Sequence, residues 1–254
     1  MCPGHSDHPD HPYTNRQPAA AQPLSHAPPR ARKRTIGTID ARTALVLIAG
    51  FIIAISIHEF SHAFTAWSLG DRTAQRAGRL TLNPLRHLDP FGSLLLLLTM
   101  FTGTPGIGWG RPVPVDPRAL RYGRAGMAAV SAAGPLSNVA IALIAATAFR
   151  VLLGAGIAVP PLGREFLVAL ILLNIGLCVF NLLPIAPLDG FSVAVGLLPW
   201  RIAAPLARLG QYGPGILLIL LFSQSIIRID LLGLILDPPR RALLAIVFRA
   251  AGAD

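Results

Sequence analysis

A chain of 254 residues with 53% hydrophobic and only 13% charged residues is too apolar for a soluble domain. The mean hydropathy of +0.57 indicates an integral membrane protein. The net charge of +10 does not indicate nucleic-acid binding, because the basic residues are scattered between apolar segments without interleaved aromatic side chains. They are typical of cytoplasmic loops of membrane proteins. Two cysteines, Cys2 and Cys178, are too few for a disulfide framework or a thiolate metal site.

Residues 1–34 are predicted to be a disordered tail, because they hold seven prolines and four histidines but too little apolar surface to fold. The histidines could serve as metal ligands, although tails of this composition are usually disordered. A basic cluster at residues 30–34 indicates a topogenic or lipid-headgroup signal. No signal peptide is expected here, since these residues have no apolar core. Residues 35–254 are predicted to form the membrane domain, with its core at residues 43–200.

The first membrane helix is predicted at about residues 42–69, and its second half contains His58-Glu59-Phe60-Ser61-His62. On a helix the two histidines lie one turn apart on the same face, so both can bind one zinc ion with Glu59 beside them. Zinc lowers the pKa of bound water to about 7, and an adjacent carboxylate can take its proton. An ionisable group at membrane depth costs about 2.5–3.5 kcal/mol, which favours a functional site over structural histidines.

Residues 71–124 are predicted to form an insertion between the first two long helices. Residues 78–84 are expected to be extended and to close in a turn, and residues 109–117 are expected to form an interfacial strand or sheet edge. Residues 90–102 are apolar but span only about 20 Å as a helix, too short to cross a bilayer. A re-entrant segment is therefore expected there.

Three further long helices are predicted at about residues 123–153, 165–183 and 213–229. The first of these contains Gly134-Pro135-Leu136-Ser137-Asn138, where a kink and tight packing are expected. The second runs into residues 181–190, whose two prolines break the helix, and this is tolerated at membrane depth only beside an internal cavity. The apolar C-terminal segment is expected to be interrupted at residues 237–241. The predicted fold is an all-α polytopic membrane protein of about four to six membrane segments.

Two histidines leave a catalytic zinc ion one protein ligand short. Asp189 is a candidate third ligand because it follows a broken membrane helix, and the alternative is an ordinary turn aspartate before Gly190. His87 is a rival third ligand, with a structural loop histidine as its alternative. The amides of Asn138 and Asn181 could bind the peptide groups of an unwound substrate or join helices to one another.

The motifs resemble those of the site-2 proteases, a family of intramembrane zinc metalloproteases. The segments 58–62, 134–138 and 181–190 follow the order of that family, and residues 78–90 and 109–117 are similar to its short bacterial form without PDZ or CBS domains. The resemblance covers about residues 43–200, with Ala186 where the family usually has proline. It implies that His58, His62 and Asp189 bind Zn²⁺ and that Glu59 is the catalytic base. It also implies that Asn138 and Asn181 line the substrate path.

The resemblance implies hydrolysis of a peptide bond within or near a transmembrane segment of a membrane-protein substrate, as in regulated intramembrane proteolysis. The partners expected are that substrate and the lipid bilayer, with no nucleic acid, in a multi-pass protein of the bacterial cell membrane. Two non-proteolytic alternatives stay open. A metal transporter would need further polar residues along the helices. A pseudo-protease scaffold would have no use for the intact Glu59.

The number of membrane crossings between the first and third long helices follows from the metal site. His62 and Asp189 can reach one ion only if these two helices end on the same side of the membrane, so the chain must cross an even number of times after the first helix. Residues 90–102 should then not cross, and residues 71–124 lie on one side with eight arginines. Positive-inside bias places that side in the cytoplasm.

Overall fold

The structure, a computed structural model, describes Met1 and residues 40–92 and 110–252. The predicted disordered tail, apart from Met1, and most of the segment expected to be re-entrant lie outside the described residues. Within these ranges the structure gives the bounds of eight α-helices and shows no strand, which confirms the all-α class. They are α1 (Ala41–Ser68), α2 (Thr73–Arg76), α3 (Gly123–Gly154), α4 (Pro161–Asn181), α5 (Asp189–Leu197), α6 (Trp200–Leu209), α7 (Gly213–Ile227) and α8 (Leu231–Ala250), with 3₁₀ turns at Pro84–Arg86 and Gly210–Tyr212.

The ends of α1 follow from its flanking residues. At the start, the Asp40 carboxylate accepts hydrogen bonds from the Thr43 N–H at 2.9 Å and from the Thr43 hydroxyl at 2.8 Å. Such a cap satisfies donors that the helix itself leaves unpaired. At the end, Gly70 has a φ of 106°, which glycine adopts without steric strain.

Helices α1, α3 and α4 alternate in direction. The start of α3 lies beside the end of α1, where the Arg121 N–H donates to the Leu69 carbonyl at 2.8 Å. The start of α4 lies beside the start of α1, where Arg42 and Glu165 form an ion pair at 3.0 Å. The ends of α1 and α4 therefore lie at the same end of the bundle, as the parity argument requires.

Small side chains allow these helices to pack closely, as is common in membrane bundles. Between α1 and α3, the buried Ala66 packs in one cluster with Val130. Other buried alanines of these two helices are Ala54, Ala63, Ala128 and Ala142. A larger apolar cluster joins α3, α4 and α8 through Ala142, Ala145, Ala146, Leu170, Ile171, Ile175, Val179 and Val247.

Helix α8 runs without a break through Pro238 and Pro239, so the interruption predicted at residues 237–241 is wrong. A proline in a helix interior removes a backbone hydrogen bond and costs about 3 kcal/mol. The helix persists because Val247, Leu243 and Leu244 pack against α3 and α4. Burial of that apolar face outweighs the local signal of the two prolines.

The insertion between α1 and α3 is held by side chains and not by a sheet. The described residues contain no strand, so residues 110–117 do not form the strand expected over 109–117, and one antiparallel bridge pairs Leu88 with Gly110. The buried Asp71 carboxylate accepts hydrogen bonds from the Thr73 N–H at 2.8 Å and the Asp116 N–H at 2.7 Å. These bonds tie the two ends of the insertion together.

Among the residues that the structure describes, four helical segments are long and apolar enough to cross a membrane. Three are α1, α3 and α4, and the fourth, Trp200–Ile227, joins α6 to α7 through the second 3₁₀ turn. The sequence predicts the fourth span only from residue 213. Four spans are the low end of the predicted four to six.

Candidate metal centre

Three side-chain atoms meet at one point, two from α1 and one from the first residue of α5. His58 Nε2 lies 3.0 Å from His62 Nε2 and 3.1 Å from Asp189 Oδ2, and His62 Nε2 lies 3.3 Å from the same oxygen. Zinc–ligand bonds of about 2.0–2.2 Å in a tetrahedron place ligand atoms about 3.3–3.5 Å apart. The triangle therefore has nearly the size that one zinc ion requires.

The hydrogen bonds of the two rings turn both Nε2 atoms into acceptors. His62 Nδ1 donates to the Val130 carbonyl at 2.7 Å, and His58 Nδ1 donates to Asn138 Oδ1 at 2.7 Å. Asp189 Oδ2 is buried and has no hydrogen-bond partner among the described residues. Three acceptors this close repel one another unless a positive charge lies between them. Two imidazole nitrogens and one carboxylate oxygen suit zinc, so the residues fit the metal implied by the motifs.

Gly134 allows α3 to pack directly on the two histidine rings. A Cβ atom at this position would lie 2.4 Å from His62 Nε2 and 2.6 Å from His58 Cε1. No side chain larger than hydrogen fits there without displacing the rings. The glycine predicted to allow tight packing therefore packs against the two histidines that are the candidate metal ligands.

A tight turn after α4 brings Asp189 to the histidines. Helix α4 ends at Asn181, and α5 begins at Asp189, with Pro184 and Pro187 in the turn between them. A Cβ atom at Gly190 would lie 2.1 Å from the Leu182 carbonyl oxygen, so only glycine permits this close return. The expected break of the helix and fold-back of the chain both occur.

A cavity of about 350 Å³ opens onto this centre. Its polar wall includes the two histidines, Asp189, Glu59 and Asn181, while most of its other lining is apolar. Glu59 is 9% exposed, so it faces the cavity while shielded from bulk solvent. The side-chain Nδ2 of Asn181 donates to the Leu177 carbonyl at 3.0 Å, and its side-chain Oδ1 accepts no hydrogen bond within the described part of the chain. The predicted substrate contact by Asn181 remains a prediction that this placement permits.

Asn138 lies behind the site and not on the cavity wall. Its side chain is fully buried, and its amide bonds to His58 on one side and to Asn174 on the other at 2.8 Å. In this arrangement the amide has no free group for the substrate contact that the resemblance implies. The sequence analysis missed Asn174, whose signal was an amide in the middle of an apolar membrane helix.

His87, the rival third ligand, does not join the centre. Among the described residues the group able to hold a metal ion consists of His58, His62 and Asp189. His87 is fully buried in the insertion, where its Nε2 bonds to the Thr81 carbonyl at 2.7 Å. This buried position, away from the two histidines of α1, favours a structural role for His87.

Curated proteins with similar sequences are named as zinc metalloproteases. "Putative zinc metalloprotease YwhC" of Bacillus subtilis is 38% identical over 185 residues, which are 68% of this chain and 78% of the relative. "Putative zinc metalloprotease Rip2" of Mycobacterium tuberculosis is 36% identical over 183 residues, covering 72% and 68%. Rip2 of Mycolicibacterium smegmatis is 34% identical over 186 residues, covering 72% and 69%. No family model matches the chain, and no solved structure matches it.

Proposed function

The chain belongs to the site-2 protease family of zinc metalloproteases, and we propose that it hydrolyses a peptide bond within or near a transmembrane segment of a membrane-protein substrate. The observation that carries this proposal is the triangle of the buried His58 and His62 with the partly buried Asp189, on the wall of a cavity that Glu59 also lines. We extend the proposal to the short bacterial form of the family, to residence in the bacterial cell membrane and to a role in regulated intramembrane proteolysis.

Each polar residue has a task in this reaction. When bound, zinc supplies Lewis acidity that polarises the scissile carbonyl and acidifies the attacking water. Glu59 takes a proton from that water and returns it to the leaving amine, so the base ends the cycle as it began. Asn181, which lines the cavity, offers its amide to the peptide groups of the substrate near the scissile bond.

The apolar walls fit a membrane-spanning substrate. Phe51, Ile55, Val113, Leu177 and Phe180 line the cavity around the metal centre. A substrate helix must unwind before its peptide bond is accessible, and its freed peptide groups need partners away from water. The apolar walls of the cavity accept the apolar side chains of the substrate. Its few polar groups offer hydrogen bonds to the peptide groups only near the reacting bond.

The transporter alternative has less support. Within the described parts of the membrane helices, the buried histidine and acidic side chains are His58, Glu59 and His62, all at the metal centre, and the other buried ionisable group is the Cys178 thiol. An ion path would need polar groups before and after this centre. One buried cluster at a cavity is better suited to chemistry than to passage.

Purified protein in lipid vesicles tests the proposal with a transmembrane peptide that carries a fluorophore and a quencher. Wild type should cleave it, a chelator should stop cleavage, and added zinc should restore it. A zinc-sensitive dye inside the same vesicles separates the alternatives. Zinc uptake without cleavage would establish a transporter, while zinc binding with neither activity would establish a scaffold.

A further inference from the structure

A chain of three buried hydrogen bonds connects His58 to the backbone of α4. His58 Nδ1 bonds to Asn138 Oδ1 at 2.7 Å, and Asn138 Nδ2 donates to Asn174 Oδ1 at 2.8 Å. Asn174 Nδ2 in turn donates to the Leu170 carbonyl at 2.8 Å. His58 is 3% exposed and both asparagines are fully buried, so water does not compete for these bonds.

The direction of the whole chain is fixed at its far end. A backbone carbonyl can only accept, so Asn174 must turn its NH₂ group toward Leu170 and its oxygen toward Asn138. Asn138 must then turn its NH₂ group toward Asn174 and its oxygen toward His58. That oxygen requires a proton on His58 Nδ1, which leaves Nε2 without one.

His62 needs no such arrangement. Its Nδ1 donates directly to the Val130 carbonyl, which cannot act as a donor. At His58 the contact is an asparagine amide, which can present either its oxygen or its NH₂ group after a rotation of 180°. The NH₂ orientation would favour the tautomer with a proton on Nε2, at the position where a metal ligand must have a lone pair.

We propose that Asn174 is a positioning residue that sets the tautomer of His58 through Asn138 and so prepares its Nε2 to bind zinc. The inference rests on the proposed zinc site and concerns a residue with no contact to the cavity or the metal ligands. Loss of an outer partner of a metal-binding histidine lowers metal affinity by about 10–100-fold. A loss in that range is expected when Asn174 can no longer accept a hydrogen bond.

Two substitutions distinguish this role from simple packing. Asn174→Leu fills similar space but leaves Asn138 free to rotate, so zinc affinity in a competitive titration should fall by about 10-fold or more. Asn174→Asp, as a neutral buried carboxylic acid, can still donate to the Leu170 carbonyl and offer its carbonyl oxygen to Asn138 Nδ2, so affinity should stay near that of wild type. A packing role predicts the reverse order, because leucine suits an apolar interior and a buried carboxyl does not. Equal affinity of Asn174→Leu and wild type would overturn the proposal.

Cys178→Ala is the matched control, because Cys178 is a buried side chain one turn further along α4 and has no part in the chain of bonds. It should leave zinc affinity unchanged. A double variant, Asn138→Leu with Asn174→Leu, should lose no more affinity than Asn138→Leu alone, since Asn174 acts only through Asn138. Additive losses would contradict the proposed order.

The tautomer itself can be observed without metal. In zinc-free protein labelled with ¹⁵N-histidine, the His58 signals, assigned with His58→Gln, should show Nδ1 protonated in wild type and a mixture in Asn174→Leu. An unchanged spectrum in Asn174→Leu would refute the inference even if zinc binding fell. If wild type bound no zinc, the proposed function would fail, while this spectrum would still decide the role of Asn174.

Discussion

Gly134 shows how one residue sets the geometry of the centre. Its missing side chain lets the backbone of α3 contact the imidazole rings of His58 and His62. The sequence could indicate a close approach at this glycine but not the partner, because the partner is 72 positions away at His62 and becomes adjacent only after α1 and α3 pack. A polar motif on one helix and a glycine on another are therefore parts of one site.

Gly134→Ala should weaken zinc binding by about 10-fold or more, because its Cβ would displace the His62 and His58 rings. Gly176→Ala is the matched control, since a Cβ at that helical position would meet no atom within 4 Å. Zinc titration of both variants decides the point. Equal affinity for Gly134→Ala and Gly176→Ala would mean that α3 does not press against the ligands.

Asp189→Asn keeps the shape of the side chain but removes the negative charge from the ligand triangle. Its loss of zinc affinity should exceed the roughly 10–100-fold typical of outer partners, because in the proposed site this oxygen itself binds the ion. Asp237→Asn should bind zinc like wild type, since Asp237 is about half exposed and pairs with Arg240 and Arg241. Wild-type affinity in Asp189→Asn would require another third ligand.

Apolar patterns predicted elements well where local and tertiary signals agree. Helices α1, α3 and α4 lie within a few residues of their predicted bounds, and the motif histidines and Asp189 meet. The continuous α8 could not be predicted from local sequence, because its packing on α3 and α4 decides it. The absence of a strand in the described part of the insertion could not be predicted either, because the hydrogen bonds of Asp71 hold this segment. Asn174 escaped notice because its partner is another asparagine on a distant helix.

The insertion should depend on the ionised Asp71 carboxylate. Burial by itself raises the pKa of Asp71, but hydrogen bonds from Thr73 and Asp116 outweigh it and hold the pKa below its usual value. The folded pKa is therefore below the unfolded value of about 3.9. The resulting stability is complete above that value and is lost as the pH falls through the lowered folded pKa.

Asp71→Asn should destabilise the protein by about 1–3 kcal/mol at pH 7, since an amide cannot accept both N–H bonds at full strength. Thermal unfolding in detergent at pH 7 and near pH 3 measures this. The gap between wild type and variant should narrow at the lower pH. Glu165→Gln, which removes an exposed ion pair, should change stability by less than about 1 kcal/mol. A gap that widens at low pH would contradict the assignment.

For the whole molecule, the metal centre constrains the topology. Arg42 and Glu165 pair at one end of α1 and α4, while His62 and Asp189 meet toward the other. The chain leaves α1 and enters α3 at the same end, since Arg121 bonds to Leu69. The arginines of residues 71–124 then favour a cytoplasmic position for that end.

Single cysteines placed in a Cys2→Ala, Cys178→Ala background test this topology in oriented vesicles. Arg72→Cys and Arg118→Cys, at exposed positions of the insertion, should react with an impermeant reagent from the same face. Ala158→Cys, exposed between α3 and α4, should react from the opposite face. Labelling of Arg72→Cys and Arg118→Cys from different faces would mean that the insertion crosses the membrane. It would contradict the topology that brings His62 and Asp189 together.

The assignment of separate roles to the metal ligands and Glu59 is tested most directly by measuring zinc content and peptide cleavage together in one variant, Glu59→Ala. Glu59 lies beside the ligand triangle without belonging to it. The purified variant and wild type should both hold about one zinc ion per chain, while cleavage of the transmembrane peptide by the variant falls by about 100-fold or more. Loss of zinc from Glu59→Ala, or cleavage at the wild-type rate, would contradict the account.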